Sequence, residues 1–443
     1  MKRSRLFTSK FGQNAEYDVS LGAMRRRLAS GAGAIVLGLV AIVFAQMGDL
    51  AQHLFLQFDR RWPYAALVTT PLLFAGVVYV TNMWCTGAKG SGIPQVIAAT
   101  KDPPKMAVSP LLSLRTAFGK LVLTLAMLLA GGSVGREGPT VQVSAAIMVA
   151  FHRVLQVPMT AGVLIAGGAA GVAAAFNTPL AGVAFAIEEL AAAFEQRVTV
   201  LVMAAVVISG LVSLGIAGDY VYFGAMQKTL PVSSVLIIAP AAGILGGLAG
   251  GLFSRLLLGA LKPGRSWLGW IKAHPVLLAA VCGLIVAATG TLTAGATWGT
   301  GYETTKLLIE GEGASPWFGP AKFIATLATA VSGAPGGIFA PSLSVGAGLG
   351  QLLSFAFPDE PMGAIVLLGM MGYFVGVMRA PLTAVIILME TTASRGMILP
   401  LFATALIADV VSALVCREKL YQGLSRAFLP ERKADELPPP SRS

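Results

Sequence analysis

From Val154 to Ile187 the chain runs 34 residues without a charge. A helix of about 20 residues already crosses the hydrocarbon of a bilayer, so this run is too long for one ordinary crossing. Phe176-Asn177-Thr178-Pro179 breaks it in two. A second overlong run, Phe323 to Pro358, breaks at Gly333-Ala334-Pro335-Gly336-Gly337. Interrupted backbone at membrane depth is tolerated only where protein surrounds it or where it lines a cavity, because lipid offers its N–H and C=O groups no partner. The chain reads as an all-α polytopic membrane protein built from tilted and broken helices.

Composition agrees. Of 443 residues, 55% are hydrophobic and 12% charged, whereas soluble domains carry about 25% charged residues. The 52 glycines suit close helix packing and broken helices. A net charge of +11 does not point to nucleic acid, since the basic residues sit in short flanks rather than in a patch with interleaved aromatics. It fits a positive-inside membrane protein. Cys85, Cys282 and Cys416 are far apart and lie in or beside apolar runs, so they read as reduced. His53, His152 and His274 have no metal-ligand spacing. No metal or cofactor is expected.

Residues 1–28 are polar and basic, include Arg25-Arg26-Arg27, and lack the pattern of a signal peptide. They are expected to form a cytoplasmic segment. Ala29 to Met47 and Trp62 to Ala88 read as the first crossings; the second ends in Gly87-Ala88-Lys89-Gly90-Ser91-Gly92-Ile93-Pro94, too rich in glycine to continue a helix. Phe118 to Val134 carries Lys120 into the next helix, and Val198 to Gly218 closes a first membrane repeat over 29–218. A linker is expected over 219–232. The second repeat, 233–425, contains Leu230 to Phe253 at its entry, His274 to Gly301, Pro361 to Met378, Ala380 to Met389, Met397 to Cys416 and a terminal helix. Residues 426–443 are expected to be a disordered tail.

The two halves are copies, related by a fixed offset. Pro179-Leu180 with Glu188 matches Pro381-Leu382 with Glu390, a shift of 381 − 179 = 202. The same shift places Gly135 on Gly337, Pro139 on Pro341, Lys120 on Lys322, and Glu137 on Phe339. Gly90-Ser91-Gly92 pairs with Gly299-Thr300-Gly301 at 299 − 90 = 209. Homologous halves interrupted at corresponding places point to a transport site at the repeat interface.

Glu137 stands at the end of an apolar run, in Gly135-Arg136-Glu137-Gly138-Pro139. An ionisable side chain at bilayer depth costs roughly 2.5–3.5 kcal/mol on insertion scales and marks a functional site by default. The glycine-rich breaks at 90–94, 135–139 and 336–341 each precede a helix. A helix N-terminus offers unpaired N–H groups and about half a positive charge, so several aimed at one point bind an anion without burying a full cation.

These three segments, Gly-Ser-Gly-Ile-Pro, Gly-Arg-Glu-Gly-Pro and Gly-Gly-Ile-Phe-Ala-Pro, resemble the signature motifs of the CLC family of chloride channels and chloride/proton antiporters. Order, spacing and internal repeat match from about residue 30 to 425. The resemblance implies a fold of two inverted-topology repeats. It also implies that the Ser91 hydroxyl, the Tyr421 phenol and the backbone N–H groups of Ile338 and Phe339 coordinate a central chloride. Glu137 would be the external gate and proton acceptor, and Glu189 the internal proton-transfer residue that marks antiporters. Serine at position 91 goes with chloride, where relatives preferring nitrate carry proline and fluoride exporters methionine. The expected form is the compact bacterial one: a homodimer in the inner membrane, multi-pass, with both termini cytoplasmic.

Each residue also has a plainer reading. Glu137 could pair with Arg136, Glu189 could be a helix-end charge, Ser91 a helix cap and Tyr421 an interfacial aromatic. Lys120 and Lys322 read as buried structural charges, and Asp409 has no assigned role. A passive chloride channel is the main rival function, separated from exchange by proton coupling. A serine hydrolase using Ser91 or Ser133 lacks a nucleophile elbow, and a structural scaffold leaves Glu137 unexplained.

Overall fold

The computed structural model describes residues 5–62, 64–103, 109–190, 196–218, 221–224, 226, 228–261 and 273–429. Most of the expected tail and part of the expected linker lie outside these residues. The first helix, α1 (Arg5–Arg61), is one continuous rod of 57 residues. It passes through the expected boundary at residue 28 because no proline interrupts it, and it ends just before Pro63, where helical geometry is disfavoured. The expected crossing Ala29 to Met47 lies inside it.

The rest of the first half comprises α2 (Ala66–Trp84), α3 (Ile93–Lys101), α4 (Leu114–Leu129), α5 (Glu137–Val154), α6 (Ala161–Phe176), α7 (Pro179–Phe185) and α8 (Gln196–Ala217). A π-helical turn, Ala186–Leu190, extends α7. The second half comprises α9 (Val232–Leu261), α10 (Pro275–Leu292), α11 (Tyr302–Glu310), α12 (Phe318–Val331), α13 (Phe339–Ser354), α14 (Met362–Met378), α15 (Pro381–Thr392), α16 (Ile398–Val415) and α17 (Leu420–Ser425). Both overlong runs are broken where expected. Asn177 ends α6 in the left-handed region at φ 56°, and Arg379 ends α14 at φ 58°, 202 residues on. Each is followed by a proline at the first turn of the next helix, where its missing N–H costs nothing.

Six of the described helices, α1, α2, α8, α9, α10 and α16, hold stretches long and apolar enough to cross a membrane. They form the outer layer and expose large apolar side chains such as Leu72, Leu236 and Leu406. The inner helices α5, α6, α13 and α14 are buried along almost their whole length, as helices apolar on every side must be. Glycine permits their close approach. A Cβ on Gly246 of α9 would overlap the backbone of Gly372 in α14, and one on Gly376 would lie 2.6 Å from the Gly246 carbonyl oxygen.

The halves also bind each other through two glutamates. Glu188 accepts from the backbone N–H groups of Leu382 and Thr383 (3.1 and 2.7 Å). Glu390 accepts from those of Leu180 and Ala181 (3.2 and 2.8 Å). Asp409, left without a role by the sequence, pairs with Arg379 at 2.6 Å.

Candidate functional site

Three glycine-rich breaks meet in the core. Gly135 and Gly337, equivalent positions of the two halves, exchange backbone hydrogen bonds of 2.7 and 2.8 Å, and the Gly336 N–H donates to the Gly90 carbonyl at 3.0 Å. The N-termini of α3, α5 and α13 are thereby brought to one place. The approach leaves no room for side chains: a Cβ on Gly138 would overlap Ser91 Oγ, and one on Gly337 would lie 3.0 Å from both the Gly135 oxygen and the Gly138 nitrogen. Gly90 and Gly92 have φ of +61° and +107°, a region that glycine enters without strain.

An anion site needs carbonyl oxygens held away from the ion, and the Ser91 loop has its carbonyls tied. Gly87 O accepts from Gln142 (2.8 Å) and Gln95 (3.1 Å), and Lys89 O accepts from Gln95 (2.6 Å). Ala88 O and Gly90 O accept from the fully buried Lys120 ammonium at 2.8 and 2.6 Å. Lys322 repeats this on Thr297 O and Gly299 O (2.9 and 2.7 Å). Both lysines are structural charges, and both combine the offsets 202 and 209. The second copy departs at the site itself. Thr300, equivalent to Ser91, is engaged through its N–H and hydroxyl by Gln52 Oε1 (3.2 Å each), and Phe339 stands in place of Glu137.

Ser91, Glu137, Glu189 and Tyr421 are all buried. Ser91 Oγ, the Tyr421 hydroxyl and both oxygens of each glutamate make no well-formed hydrogen bond among the described residues; the Glu137 carboxylate only comes near the N–H groups of its own residue and of Ala340, and the Tyr421 hydroxyl near Ser91. A buried polar group without a partner costs about 1–3 kcal/mol, so four such residues together are not explained by folding. The Tyr421 hydroxyl lies beside Ser91, with the carboxyl groups of Glu189 and Glu137 within electrostatic range. The Glu137 carboxylate folds back over Gly135, where a Cβ would overlap it, toward Pro341 at the start of α13.

For Glu137, Ser91 and Tyr421 the plainer readings do not fit these positions. Arg136 pairs with Asp49 at 2.7 Å and donates to Ala45 O at 2.6 Å, so it is Asp49, not Glu137, that it binds. Ser91 caps no helix: the residue before α3 is Gly92, and no side chain caps it. Tyr421 is fully buried rather than interfacial. Glu189 sits on the π-helical turn, 4% exposed, near Lys419 and Glu188. It lines a cavity of about 970 Å³. Ser133, the other hydrolase candidate, bonds Thr326 Oγ1 at 2.8 Å.

Ile338 and Phe339 open α13, where the first N–H groups of a helix have no intrahelical acceptor. The Phe339 ring is the centre of an aromatic cluster that sequence reasoning missed. Its centroid lies 5.3 Å from Phe374, 6.0 Å from Tyr421, 6.1 Å from Phe185 and 6.2 Å from Phe176. Gln95 and Gln142 were also missed. Both are uncharged polar residues in buried helical stretches, which was the available signal.

The family described as "Voltage gated chloride channel" matches residues 72–413. The H(+)/Cl(-) exchange transporter ClcA of Yersinia pestis is 30% identical over 397 residues, covering 84% of this chain and 80% of that protein. The protein of the same name from Citrobacter koseri is 29% identical and covers 86% and 82%. Among solved structures, a slow cyanobacterial Cl-/H+ antiporter superposes with a TM-score of 0.77 at 24% identity, over 92% of this chain and 99% of that one. A CLC-type fluoride/proton antiporter gives 0.74 at 20%, over 91% and 97%. These similarities bear out the polytopic helical membrane fold, and the chain belongs to the voltage gated chloride channel, or CLC, family.

Proposed function

We propose that the protein exchanges chloride for protons through a mid-membrane anion site gated by Glu137. The observation that carries this is the group of buried, unpartnered polar atoms on Ser91, Glu137, Glu189 and Tyr421, assembled where three helix N-termini converge. The Ser91 and Tyr421 hydroxyls and the N–H groups of Ile338 and Phe339 donate to the central chloride. The Glu137 carboxylate is a tethered anion that competes for the pathway; once protonated it loses its charge and swings aside. Glu189 passes protons between the inner cavity and this region. The exchange transporters among the relatives support the reading, and serine at position 91 favours chloride over nitrate or fluoride.

A passive channel would use the same anion site. A buried Glu189 with no partner favours exchange, because a channel has no need of it. The test is Glu137→Gln: chloride flux persists but becomes insensitive to pH, and proton coupling is lost. Uphill proton pumping by this variant would refute the reading.

The setting we infer is a bacterial inner membrane, with both termini in the cytoplasm beside the basic flank. The two halves are read as repeats of inverted topology, the first opening within α1 and not at residue 29. Outward apolar residues of α8 and α16, among them Val200, Leu211, Leu406 and Leu414, support a homodimer that buries them, with a separate pathway in each subunit.

A further inference from the structure

The second repeat carries a copy of the Ser91 loop that no step of the exchange uses. Gly299 and Gly301 take φ of +58° and +78°, as Gly90 and Gly92 take +61° and +107°. Three of the copy's carbonyls are turned away: Thr297 O and Gly299 O accept from the Lys322 ammonium (2.9 and 2.7 Å), and Thr300 O accepts from Ser344 Oγ at 2.9 Å. The loop opens α11, a helix of 9 residues. The Tyr302 N–H donates to Thr300 Oγ1 at 3.3 Å, which leaves the hydroxyl proton to point away from the helix. What remains is a pair of donors, the N–H and the hydroxyl of Thr300, with the acceptors tied back. Donors so arranged at a helix N-terminus suit an anion.

Their occupant is a side-chain oxygen. Gln52 Oε1 receives both donors at 3.2 Å each, and a Cβ on Gly299 would overlap its carboxamide. An oxygen acceptor usually sits about 2.9–3.0 Å from an N–H nitrogen and about 2.7–2.8 Å from a hydroxyl oxygen, so the pair is spread for a larger acceptor. Gln52 reaches in from α1 and is half-buried. With Thr300 it lines a cavity of about 1020 Å³, into which its side chain can swing without unfolding a helix. Arg136 lines the same cavity, is 8% exposed, and has no acceptor for its Nε among the described residues. Asp49 and Glu303 are there too. Asp49 is paired with Arg136 and Glu303 is exposed, so they weaken an anion's hold without filling the loop.

We propose that the 299–301 loop is a second halide site: chloride entering from the Arg136 cavity displaces the Gln52 carboxamide and is held by the Thr300 N–H and hydroxyl before it reaches the gate. The ion has to win against an oxygen already bonded, so the site is weak, and a weak stop is one that an ion can leave. Gln52 is a tethered stand-in for the anion, as the Glu137 carboxylate is in the proposed gate, with no charge for a proton to neutralise. The second loop is a copy of the first, so this site rests on the Ser91 loop being the chloride site.

The test is anomalous diffraction from crystals of the full chain in bromide, with chloride transport by proteoliposomes as a second readout. Gln52→Ala shows bromide at Ser91 and at Thr300. Gln52→Ala/Thr300→Val keeps the first peak and loses the second, and wild type shows the second at lower occupancy than Gln52→Ala does. Removing the competitor lowers the half-saturating chloride concentration on the Arg136 side roughly fivefold, the weight of about one net hydrogen bond, and leaves it unchanged on the opposite side. Bromide at Ser91 but not at Thr300 in Gln52→Ala overturns the proposal. So does a Thr300 peak that Thr300→Val leaves unchanged, or half-saturation that moves equally on both sides. Bromide at Thr300 with none at Ser91 would support the second site and overturn the reading of the first, and bromide at neither loop would overturn both.

Discussion

Glu188 and Glu390 each cap the helix that belongs to the other's half. Glu188 closes the N-terminus of α15, and Glu390 closes that of α7. In each case a carboxylate takes two N–H groups that a helix start leaves without acceptors, at the end of the helix dipole that favours negative charge. The clamp joins the two halves. In the first half the residue after it is Glu189; in the second it is Thr391, whose hydroxyl bonds Ile387 O at 2.7 Å.

The clamps are chemically equivalent, so breaking either has the same effect on stability. Glu188→Ala and Glu390→Ala each lower unfolding stability by about 1–2 kcal/mol, the range for losing a helix cap. Their glutamine versions lose less, because the amide oxygen still accepts one N–H. Thermal unfolding in detergent checks this, and alanine variants that differ widely would contradict the equivalence.

Lys120 and Lys322 make equivalent bonds with different consequences. Lys120→Met frees Ala88 O and leaves Gly90 O only its bond from the Gly336 N–H, beside Ser91, so chloride binding measured by calorimetry weakens by roughly tenfold, about 1.4 kcal/mol. Lys322→Met frees carbonyls of the loop whose Thr300 is engaged by Gln52. It lowers thermal stability and leaves chloride affinity within about twofold of wild type, well under the 1.4 kcal/mol that separates tenfold changes.

Gly135→Ala acts on the gate without removing it. The added methyl overlaps the Glu137 carboxylate, a movable group at the end of a flexible side chain. The side chain yields and the backbone stays. Chloride flux rises and its pH dependence flattens, as liposome efflux at several pH values would record. Unchanged flux with normal pH dependence would place the resting carboxylate elsewhere.

Much of this site was legible because its signals break the pattern around them. Glycine clusters in apolar runs marked the segments that hold Ser91 and Ile338, whose roles came from the family resemblance, a charge ending an apolar run singled out Glu137, and the offset of 202 tied Lys120 to Lys322 and Glu188 to Glu390. The partners were not legible. Arg136 meets Asp49, and Lys120 meets Ala88 and Gly90, only because separate helices are folded together. Phe176, Phe185 and Phe374 carry no signal, since a phenylalanine in an apolar helix looks the same whether it lines a pathway or fills the core. The length of α1 was missed because a basic flank says where a chain enters the membrane and nothing about where its helix starts.

The proposed exchange couples chloride and proton movement through Glu137 and Glu189. Its most direct measurement is proton movement into proteoliposomes driven only by a chloride gradient, for wild type and Glu189→Ala. With that coupling, wild type drives protons uphill and the variant passes chloride alone. Chloride movement by wild type without protons at any pH would contradict it, leaving a channel with the same anion site.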